Sequence, residues 1–260
     1  MLRIPALLIA AALTLAPVAG ARADAPVQVA AAADLKFALD SVATRFKADT
    51  GQELAITYGS SGNFARQLAQ DAPFQVFLSA DEGFVFRLAD AGKTVDRGAL
   101  YAEGRIVLFA PHGSPMKPDA GMTDLKAALG DGRVRKFAIA NPEHAPYGRA
   151  AEEALASQGL WDEAKPLLVL GENVSQAAQF AASGSTQGGI FAYSLVLSPE
   201  VSKLGSYALI PAAWHKPLRQ RMVLMRHAGE TAKAFQAYMQ SPPAREILRR
   251  YGFVLPGEAP

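Results

Sequence analysis

Apolar and polar residues follow two alternating patterns along the first half of the chain. Val27 to Ala32 is typical of a buried strand, and apolar residues then recur at helical spacing from Leu35 to Phe46, with Gly51 just beyond the end. The plan repeats with a strand over Leu54 to Tyr58 and a short helix over Phe64 to Gln70. A third strand is predicted over residues 74–78, with a helix start at residues 79–82.

The second half continues the same alternation after a looser stretch that runs to Gly132. Further strands are predicted over Arg105–Ala110, Phe137–Ala140, Leu167–Leu170, Gly189–Tyr193 and Met222–Met225. Further helices are predicted up to Ser157 and over Val174–Ala182, Glu230–Tyr238 and Pro243–Arg250. Strands that alternate with helices indicate an α/β protein with a largely parallel sheet.

The N-terminus has the pattern of a secretory signal peptide. Arg3 precedes the apolar run Ile4–Ala19, and Ala21-Arg22-Ala23 offers a small-x-small cleavage site. The alternative is a membrane anchor, but Pro5 and Pro17 interrupt the run, which is also shorter than the roughly 20 residues that span a bilayer. We therefore expect residues 1–23 to be a signal peptide cleaved after Ala23 and the mature protein to be periplasmic.

The charge and the cysteine content of the chain argue against several classes of function. Removal of residues 1–23 would take two of the 26 basic residues and none of the 24 acidic ones, so the mature chain would have a formal net charge of zero. Nucleic-acid binding is disfavoured because it calls for a basic face. The absence of cysteine excludes disulfides, thiolate metal sites, thiol catalysis and a lipidated cysteine anchor.

Four strand-to-helix junctions combine features of anion sites. The first N–H groups of a helix have no partner within it, and the helix dipole adds partial positive charge, so such a terminus holds an oxyanion without Lys or Arg. Two junctions lie in each half of the chain: Ala33-Asp34, Ser60-Ser61, Pro146-Tyr147 and Asn173-Val174. Each has a plainer interpretation, because Ser, Asp and Asn are common N-caps and Pro is common in the first helical turn. Only the set of four favours an anion-binding cleft.

Several longer strings resemble the periplasmic molybdate-binding proteins of ABC transporters. They are Val29-Ala30-Ala31-Ala32-Ala33-Asp34-Leu35, Tyr58-Gly59-Ser60-Ser61-Gly62-Asn63, Ala72-Pro73-Phe74 with Phe77-Leu78-Ser79-Ala80-Asp81, Asn141-Pro142-Glu143-His144-Ala145-Pro146-Tyr147-Gly148 and Arg249-Arg250-Tyr251-Gly252-Phe253. The resemblance covers essentially the whole mature chain. It implies a type II periplasmic-binding-protein fold with two α/β lobes, two crossing segments and a ligand cleft between the lobes.

The implied domain plan places the first part of lobe 1 at residues 24–108, lobe 2 at residues 109–222 and the C-terminal return of lobe 1 at residues 223–260. The hinge is expected near Val107–Ala110 and Arg221–Leu224. The resemblance also implies an inner-membrane ABC permease with its ATPase as partners. The protein itself is expected to be a monomer without a cofactor, to have molybdate or tungstate as its ligand, and not to bind nucleic acid.

Carried over position by position, the family's ligand contacts fall on Asp34 with its neighbour Ala33, on Ser61 with its neighbour Ser60, on Tyr147 and on Val174. Ser61 is implied to give its hydroxyl and its amide, and Tyr147 and Val174 their amides. The family also often places a tyrosine hydroxyl on the strand near residues 189–194. Strict alignment puts Ala192 at that position and Tyr193, the candidate, one residue later.

Asp34 departs from the family pattern, in which a hydroxyl or amide side chain commonly stands at this position. A carboxylate that points at a dianion is repelled by about 1 kcal/mol even at the dielectric constant of water. We therefore predict that the Asp34 carboxylate turns back to cap its own helix and that its amide faces the ligand. The alternative is that the carboxylate accepts a hydrogen bond from a protonated oxyanion such as hydrogen phosphate.

The sequence gives little support to the hypothesis that the protein is an enzyme. Asn63 replaces the second glycine of a hydrolase G-x-S-x-G elbow, and Arg87 replaces the first glycine of a phosphate-binding loop before Gly92-Lys93-Thr94. The four histidines lack metal-ligand spacing, so no bare metal site is predicted. His144, close to Tyr147, is expected to hydrogen-bond its own loop. We predict a binding protein, with a binding protein for phosphate or sulfate and a periplasmic enzyme or adaptor as the alternatives.

Overall fold

A computed structural model of the protein describes residues 26–258 as two α/β lobes, each built on a five-stranded sheet. The signal peptide predicted over residues 1–23 and the mature start at Asp24 lie outside the described residues. The predicted fold class, an α/β type II periplasmic-binding-protein fold, is confirmed. Each sheet is mixed but largely parallel: four of its five strands run in one direction, and one strand, Leu218–Leu224 in the first sheet and Ile106–Pro111 in the second, runs antiparallel to its neighbours.

Ten strands form within the described range. They are β1 (Val27–Ala32), β2 (Leu54–Gly59), β3 (Val76–Ser79), β4 (Ala99–Gly104), β5 (Ile106–Pro111), β6 (Phe137–Ala140), β7 (Leu168–Gly171), β8 (Gly188–Ala192), β9 (Gly205–Leu209) and β10 (Leu218–Leu224). The sequence pattern missed β4 and β9. Both are edge strands, β4 pairing with β10 and β9 with β5.

Eleven α-helices occur in the same range. They are α1 (Lys36–Thr50), α2 (Ser61–Ala69), α3 (Glu82–Asp90), α4 (Thr123–Gly130), α5 (Pro146–Ser157), α6 (Trp161–Ala164), α7 (Val174–Ala182), α8 (Tyr193–Val196), α9 (Pro199–Ser202), α10 (Glu230–Met239) and α11 (Pro242–Arg250). A 3-10 turn, Ala33–Leu35, links β1 to α1. Gly51 ends α1 in the left-handed conformation, as its position predicted.

The sheet of lobe 1 has the order β2-β1-β3-β10-β4 and is covered by helices on both faces. Successive side chains of a strand point to opposite faces. Leu78 accordingly packs towards α1, α10 and α11, and its neighbour Phe77 packs towards α2 and α3. This two-sided burial explains why the central strands β1 and β3 have nearly continuous apolar sequences rather than alternating ones.

The sheet of lobe 2 has the order β7-β6-β8-β5-β9. Its core is formed by buried residues of β5, β6 and β8 with α4, α5 and α7. Strands β6 and β7 are parallel neighbours, as β1 and β2 are in lobe 1. Each lobe therefore has a pair of adjacent parallel strands whose carboxyl ends lead into helices.

Strand pairing moves both predicted lobe boundaries. The boundary predicted after residue 108 falls inside β5, which pairs only with strands of lobe 2, and the boundary after residue 222 falls inside β10, which pairs only with strands of lobe 1. The chain therefore crosses at Arg105, between β4 and β5, and again over residues 210–217, between β9 and β10. The segments predicted as hinges, residues 107–110 and 221–224, lie within paired strands.

Candidate oxyanion site between the lobes

A small cavity lies between the lobes at the carboxyl ends of β1, β2, β6 and β7. The residues of all four predicted junctions line it, apart from Asn173: Ala33, Asp34, Ser60, Ser61, Pro146, Tyr147 and Val174. Backbone at Ala32, Gly59, Ala80 and Ala145 completes the wall. Within the described chain, the lining contains no Lys, Arg or His. The cavity thus offers helix N-termini and hydroxyls, with Asp34 as the one ionisable carboxyl.

Asp34 is 1 % exposed, and its carboxyl belongs to a buried hydrogen-bond network. Its Oδ2 accepts hydrogen bonds from the Tyr147 hydroxyl at 2.9 Å and from Nε2 of Gln220 at 2.6 Å. Nε2 of Gln220 also donates to the Tyr147 hydroxyl at 3.0 Å, and Oε1 of Gln220 accepts from the Tyr101 hydroxyl at 2.7 Å. The network therefore ties the end of β1 to α5 in the opposite lobe.

The second carboxyl oxygen of Asp34, Oδ1, is buried without a hydrogen-bond partner in the described chain. Burial raises the pKa of Asp34 from 3.8 to about 7, and the hydrogen bonds from Gln220 and Tyr147 offset that rise only in part. The amides of Asp34 and Leu35 lie close enough to lower the pKa slightly, although neither makes a hydrogen bond of good geometry to Oδ1. At neutral pH the carboxyl is thus poised between its neutral and ionised forms.

The prediction that Asp34 caps its own helix is wrong. Neither the 3-10 turn nor α1 has a side-chain cap. Instead, Tyr147 and Gln220 hold the carboxyl by donating two hydrogen bonds to its Oδ2. The carboxyl therefore faces a network that the sequence did not suggest.

The two serines at the start of α2 have different roles. Ser60 is the N-cap, and its Oγ accepts from the Asn63 amide at 3.4 Å and lies 2.9 Å from Nδ1 of His144. Oγ of Ser61 accepts from the Ala80 amide at 2.9 Å. Because that bond occupies Oγ only as an acceptor, the hydroxyl hydrogen of Ser61 remains available for a ligand.

The helices α5 and α7 of lobe 2 begin beside the same cavity. Pro146 is the first residue of α5 and has no N–H, so the Tyr147 amide is the first donor of that helix. Asn173 caps α7 by accepting from the amides of Ser175 and Gln176 at 3.0 and 3.1 Å. The cap leaves the amide of Val174 as the first donor of α7.

The N-terminal amides of Asp34, Ser61, Tyr147 and Val174 have no acceptor among residues 26–258. These are the residues that the resemblance identified. The amides that follow them in α2 and α7 are already engaged by caps or by the opposite lobe, as at Gly62, whose N–H donates to the His144 carbonyl at 2.9 Å. Unused donors at helix N-termini of both lobes give this cavity the chemistry expected of an anion site, because the helix dipole adds partial positive charge to the free N–H groups.

Several direct contacts hold the lobes together around the cavity. Arg149 of α5 pairs with Asp81, the N-cap of α3, and Asn63 of α2 donates to Glu172. The His144 bond to Ser60 also crosses between the lobes. With the Tyr147 bond to Asp34, these contacts describe a closed arrangement.

A second cavity of about 280 Å³ adjoins the first one and shares Ala80 and Pro146 with it. Its wall includes the charged side chains of Asp81, Arg149, Glu153 and Lys216. These four charged side chains thus lie outside the first cavity, where water and salt screen them.

Tyr193 does not line the cavity. It is the first residue of α8, its ring packs against Tyr207 with ring centroids 5.8 Å apart, and its amide donates to the Arg105 carbonyl. The hydroxyl that approaches from this segment belongs to Ser194, which donates to the Asp34 carbonyl at 2.7 Å. The tyrosine hydroxyl nearest the site comes instead from Tyr147, a residue predicted to contribute only its amide.

Gln220 and Tyr101 are the site residues that sequence reasoning missed. Gln220 stands among the inward-facing positions of β10, between Leu218 and Met222, and is fully buried. A polar residue at a core position of an alternating strand is a signal, since a buried amide needs partners. Tyr101 had no such signal, because β4 was not predicted.

Two kinds of site are absent from residues 26–258. No group of three or more His, Cys, Asp or Glu side chains there could hold a metal ion. None of the helices in the same range combines the length and the apolar character needed to cross a bilayer.

Comparison with known proteins agrees with the fold. The family model of bacterial extracellular solute-binding proteins matches residues 27–254. The molybdate-binding protein ModA of Rhodobacter capsulatus is 35% identical over 260 residues, which cover 98% of this chain and 99% of that protein. ModA of Azotobacter vinelandii is 35% identical over 234 residues, covering 89% of this chain and 90% of the relative.

A solved structure, the periplasmic molybdate-binding protein of Azotobacter vinelandii, superposes with a TM-score of 0.79 at 31% identity and covers 88% of this chain and 99% of that one. Sequence and structure therefore agree over nearly the whole length. The chain belongs to the family of bacterial extracellular solute-binding proteins and, within it, is similar to the periplasmic molybdate-binding proteins.

Proposed function

We propose that this protein is the periplasmic solute-binding component of an ABC importer, that it binds molybdate and tungstate between its lobes, and that it delivers them to a membrane permease with its ATPase. It acts as a monomer, needs no cofactor and catalyses no reaction. The proposal rests on relatives whose names state molybdate binding and on the chemistry of the cavity.

The observation that carries the proposal is the set of unused amides at Asp34, Ser61, Tyr147 and Val174, which line one cavity together with the Ser61 hydroxyl. A fully deprotonated tetrahedral anion accepts hydrogen bonds and donates none, so it matches a wall of donors. Hydrogen bonds to a charged group contribute about 1.5–3 kcal/mol each, net of the water bonds that they replace, so several of them together support tight binding.

Ligand binding favours closure because the donors belong to both lobes. Asp34 and Ser61 lie in lobe 1, and Tyr147 and Val174 lie in lobe 2. An anion that bonds all four stabilises the closed form relative to an open one, and a permease can distinguish the two forms.

Isothermal titration calorimetry and thermal-shift measurements with molybdate, tungstate, sulfate and phosphate test the proposal. We expect molybdate and tungstate to bind most tightly and to raise the melting temperature most. Tighter binding of phosphate would contradict the ligand assignment, and no stabilisation by any of the four would contradict the function.

Phosphate is the second candidate ligand, and one observation favours it. The unpartnered Oδ1 of Asp34, if ionised, accepts a hydrogen bond, and hydrogen phosphate has a proton to donate. The four-anion titration separates the two ligands directly.

Export is tested separately. Mass spectrometry of the protein recovered from the periplasm should give a mature N-terminus at Asp24. A mature chain that retains residues 1–23 would contradict the signal peptide.

A further inference from the structure

We infer that Asp34 closes the site as a neutral acid and donates a hydrogen bond from Oδ1 to the bound oxyanion, so that binding takes up one proton from solvent. The inference rests on the proposed function and specifies the protonation state in which the site binds its ligand. It makes Asp34 a residue that couples affinity to pH.

The geometry assigns the two carboxyl oxygens different roles. Oδ2 accepts from both the Tyr147 hydroxyl and the Gln220 amide, so it is the unprotonated, carbonyl-like oxygen of the acid. Oδ1 is buried without a partner, and Asp34 lines the cavity. A proton on Oδ1 turns the one unsatisfied acceptor of the site into a donor.

Tyr101 and Gln220 fix which atoms donate and which accept in the hydrogen-bond network. The Tyr101 hydroxyl donates to Oε1 of Gln220, which orients the Gln220 amide so that both of its N–H groups point to Asp34 and Tyr147. The Tyr147 hydroxyl then has its own hydrogen directed to Oδ2. None of these three side chains has a hydrogen left to give to Oδ1 of Asp34. Whether Oδ1 acts as a donor or as an acceptor therefore depends on the proton of Asp34 itself.

Few groups near the carboxyl titrate. The groups that face Asp34 are Tyr101 of β4, Tyr147 of α5, Gln220 of β10 and Ser194 of α8, whose hydroxyl donates to the Asp34 carbonyl. Burial raises the pKa of both tyrosines well above 10, so they stay neutral. Burial likewise raises the pKa of Asp34, to about 7.

A bound dianion favours the neutral acid for two further reasons. It repels an ionised carboxylate, and it accepts a hydrogen bond only from the protonated form. The pKa of Asp34 therefore rises on binding, and by linkage the affinity falls as pH rises above the pKa of the free protein. The dissociation constant should increase about tenfold per pH unit at the alkaline end of the range from pH 6 to 9.

Calorimetry of molybdate binding to the full mature protein tests the inference. At pH 8, titrations in buffers of different ionisation enthalpy should show uptake of close to one proton per anion. Asp34→Asn keeps an acceptor for Tyr147 and Gln220 and presents an amide donor in place of Oδ1. The variant should bind molybdate with no proton uptake and with a dissociation constant that changes less than about twofold from pH 6 to 9.

His144 supplies the control because its imidazole lies beside the site, with Nδ1 2.9 Å from the Ser60 hydroxyl oxygen. His144→Gln should retain the proton uptake and the pH slope of the unchanged protein. The inference is overturned if molybdate binds the unchanged protein with no proton uptake, or if the slope persists in Asp34→Asn and disappears in His144→Gln. Either result would leave molybdate binding itself intact, whereas the failure of all four oxyanions to bind would overturn the proposed function as well.

Discussion

The hydroxyl of Tyr147 in lobe 2 donates a hydrogen bond of 2.9 Å to Oδ2 of Asp34 in lobe 1. Both residues are almost fully buried, at 2 % and 1 % exposure. One side-chain bond therefore joins the two lobes at the only carboxyl that residues 26–258 bring to the cavity. The backbone amide of each residue has no acceptor among residues 26–258, so under the proposed function the same two positions would bind the anion and make the contact between the lobes.

Tyr147→Phe removes that bond and keeps the ring and the amide. We expect molybdate affinity to fall by roughly fivefold, the equivalent of one hydrogen bond of about 1 kcal/mol. Since the Tyr147 bond lowers the pKa of Asp34, its loss should raise that pKa and move the fall in affinity to higher pH. Calorimetry from pH 6 to 9 measures both effects. A midpoint that moves to lower pH would contradict the role of the hydroxyl.

The four junctions could be predicted from sequence because their chemistry is local. Gly, Ser and Pro at helix starts show where unpaired amides lie, whatever the rest of the chain does. The site residues Ser61 and Val174 are therefore visible from a few neighbouring positions. The fold class follows from the same local alternation of strands and helices.

The network around Asp34 could not be predicted in the same way because it depends on long-range contacts. Gln220 meets Asp34 across 186 positions of the chain and Tyr147 meets it across 113. The expected cap on α1 was the best local solution for a carboxylate, and distant donors displaced it. Tyr193 was misassigned because β8 ends at Ala192, so the next side chain leaves the sheet at the start of α8.

The two adjacent serines allow a matched pair of substitutions. Ser61→Ala removes a hydroxyl that is available to the anion, so we expect a loss of about 1.5–3 kcal/mol in binding, or roughly 10- to 100-fold in the dissociation constant. Ser60→Ala removes the cap of α2 and should lower the free energy of unfolding by about 1 kcal/mol. Calorimetry and denaturant unfolding distinguish the two effects. A larger loss of affinity in Ser60→Ala than in Ser61→Ala would reverse the assignment.

The buried carboxyl of Asp34 also makes folding stability depend on pH. Its pKa of about 7 in the folded protein lies above the ordinary 3.8, so the folded state binds more protons between these values. Stability is then greatest below about pH 4 as far as this group is concerned, and it falls as pH rises towards 7, by up to about 1.4 kcal/mol per pH unit. The ligand-free Asp34→Asn variant lacks this pH-dependent contribution to folding stability.

Urea unfolding of both proteins from pH 4 to 8 checks the sign. We expect the stability of Asp34→Asn relative to the unchanged protein to increase across that window and to level off above it. Asp162→Asn, at an exposed carboxylate of α6, is the matched control and should run parallel to the unchanged protein. If the free energy of unfolding of Asp34→Asn relative to the unchanged protein decreased as pH rises, the raised pKa of Asp34 would be contradicted.

Gly62 lies at a close backbone contact between the two lobes beside the site. A Cβ at this position would lie 2.6 Å from the backbone oxygen of His144 and 3.0 Å from its Cα, whereas the Gly62 amide now donates to that same oxygen. Backbone cannot swing aside as a long side chain can, so Gly62→Ala must hold the lobes apart. The change should not weaken lobe 1, because alanine in the first turn of α2 favours the helix by up to about 1 kcal/mol relative to glycine.

We therefore expect Gly62→Ala to fold normally and to bind molybdate about 5- to 100-fold more weakly, in line with the 1–3 kcal/mol typical of an overpacked contact. Small-angle X-ray scattering should show that the decrease in radius of gyration on addition of molybdate is smaller than in the unchanged protein. Gly130→Ala, at a helical glycine of α4 with open space around it, controls for the change of residue type and should match the unchanged protein in both measurements. If Gly62→Ala showed full compaction and full affinity, closure would not bring α2 against the His144 backbone. The donors of the two lobes would then not act on one anion.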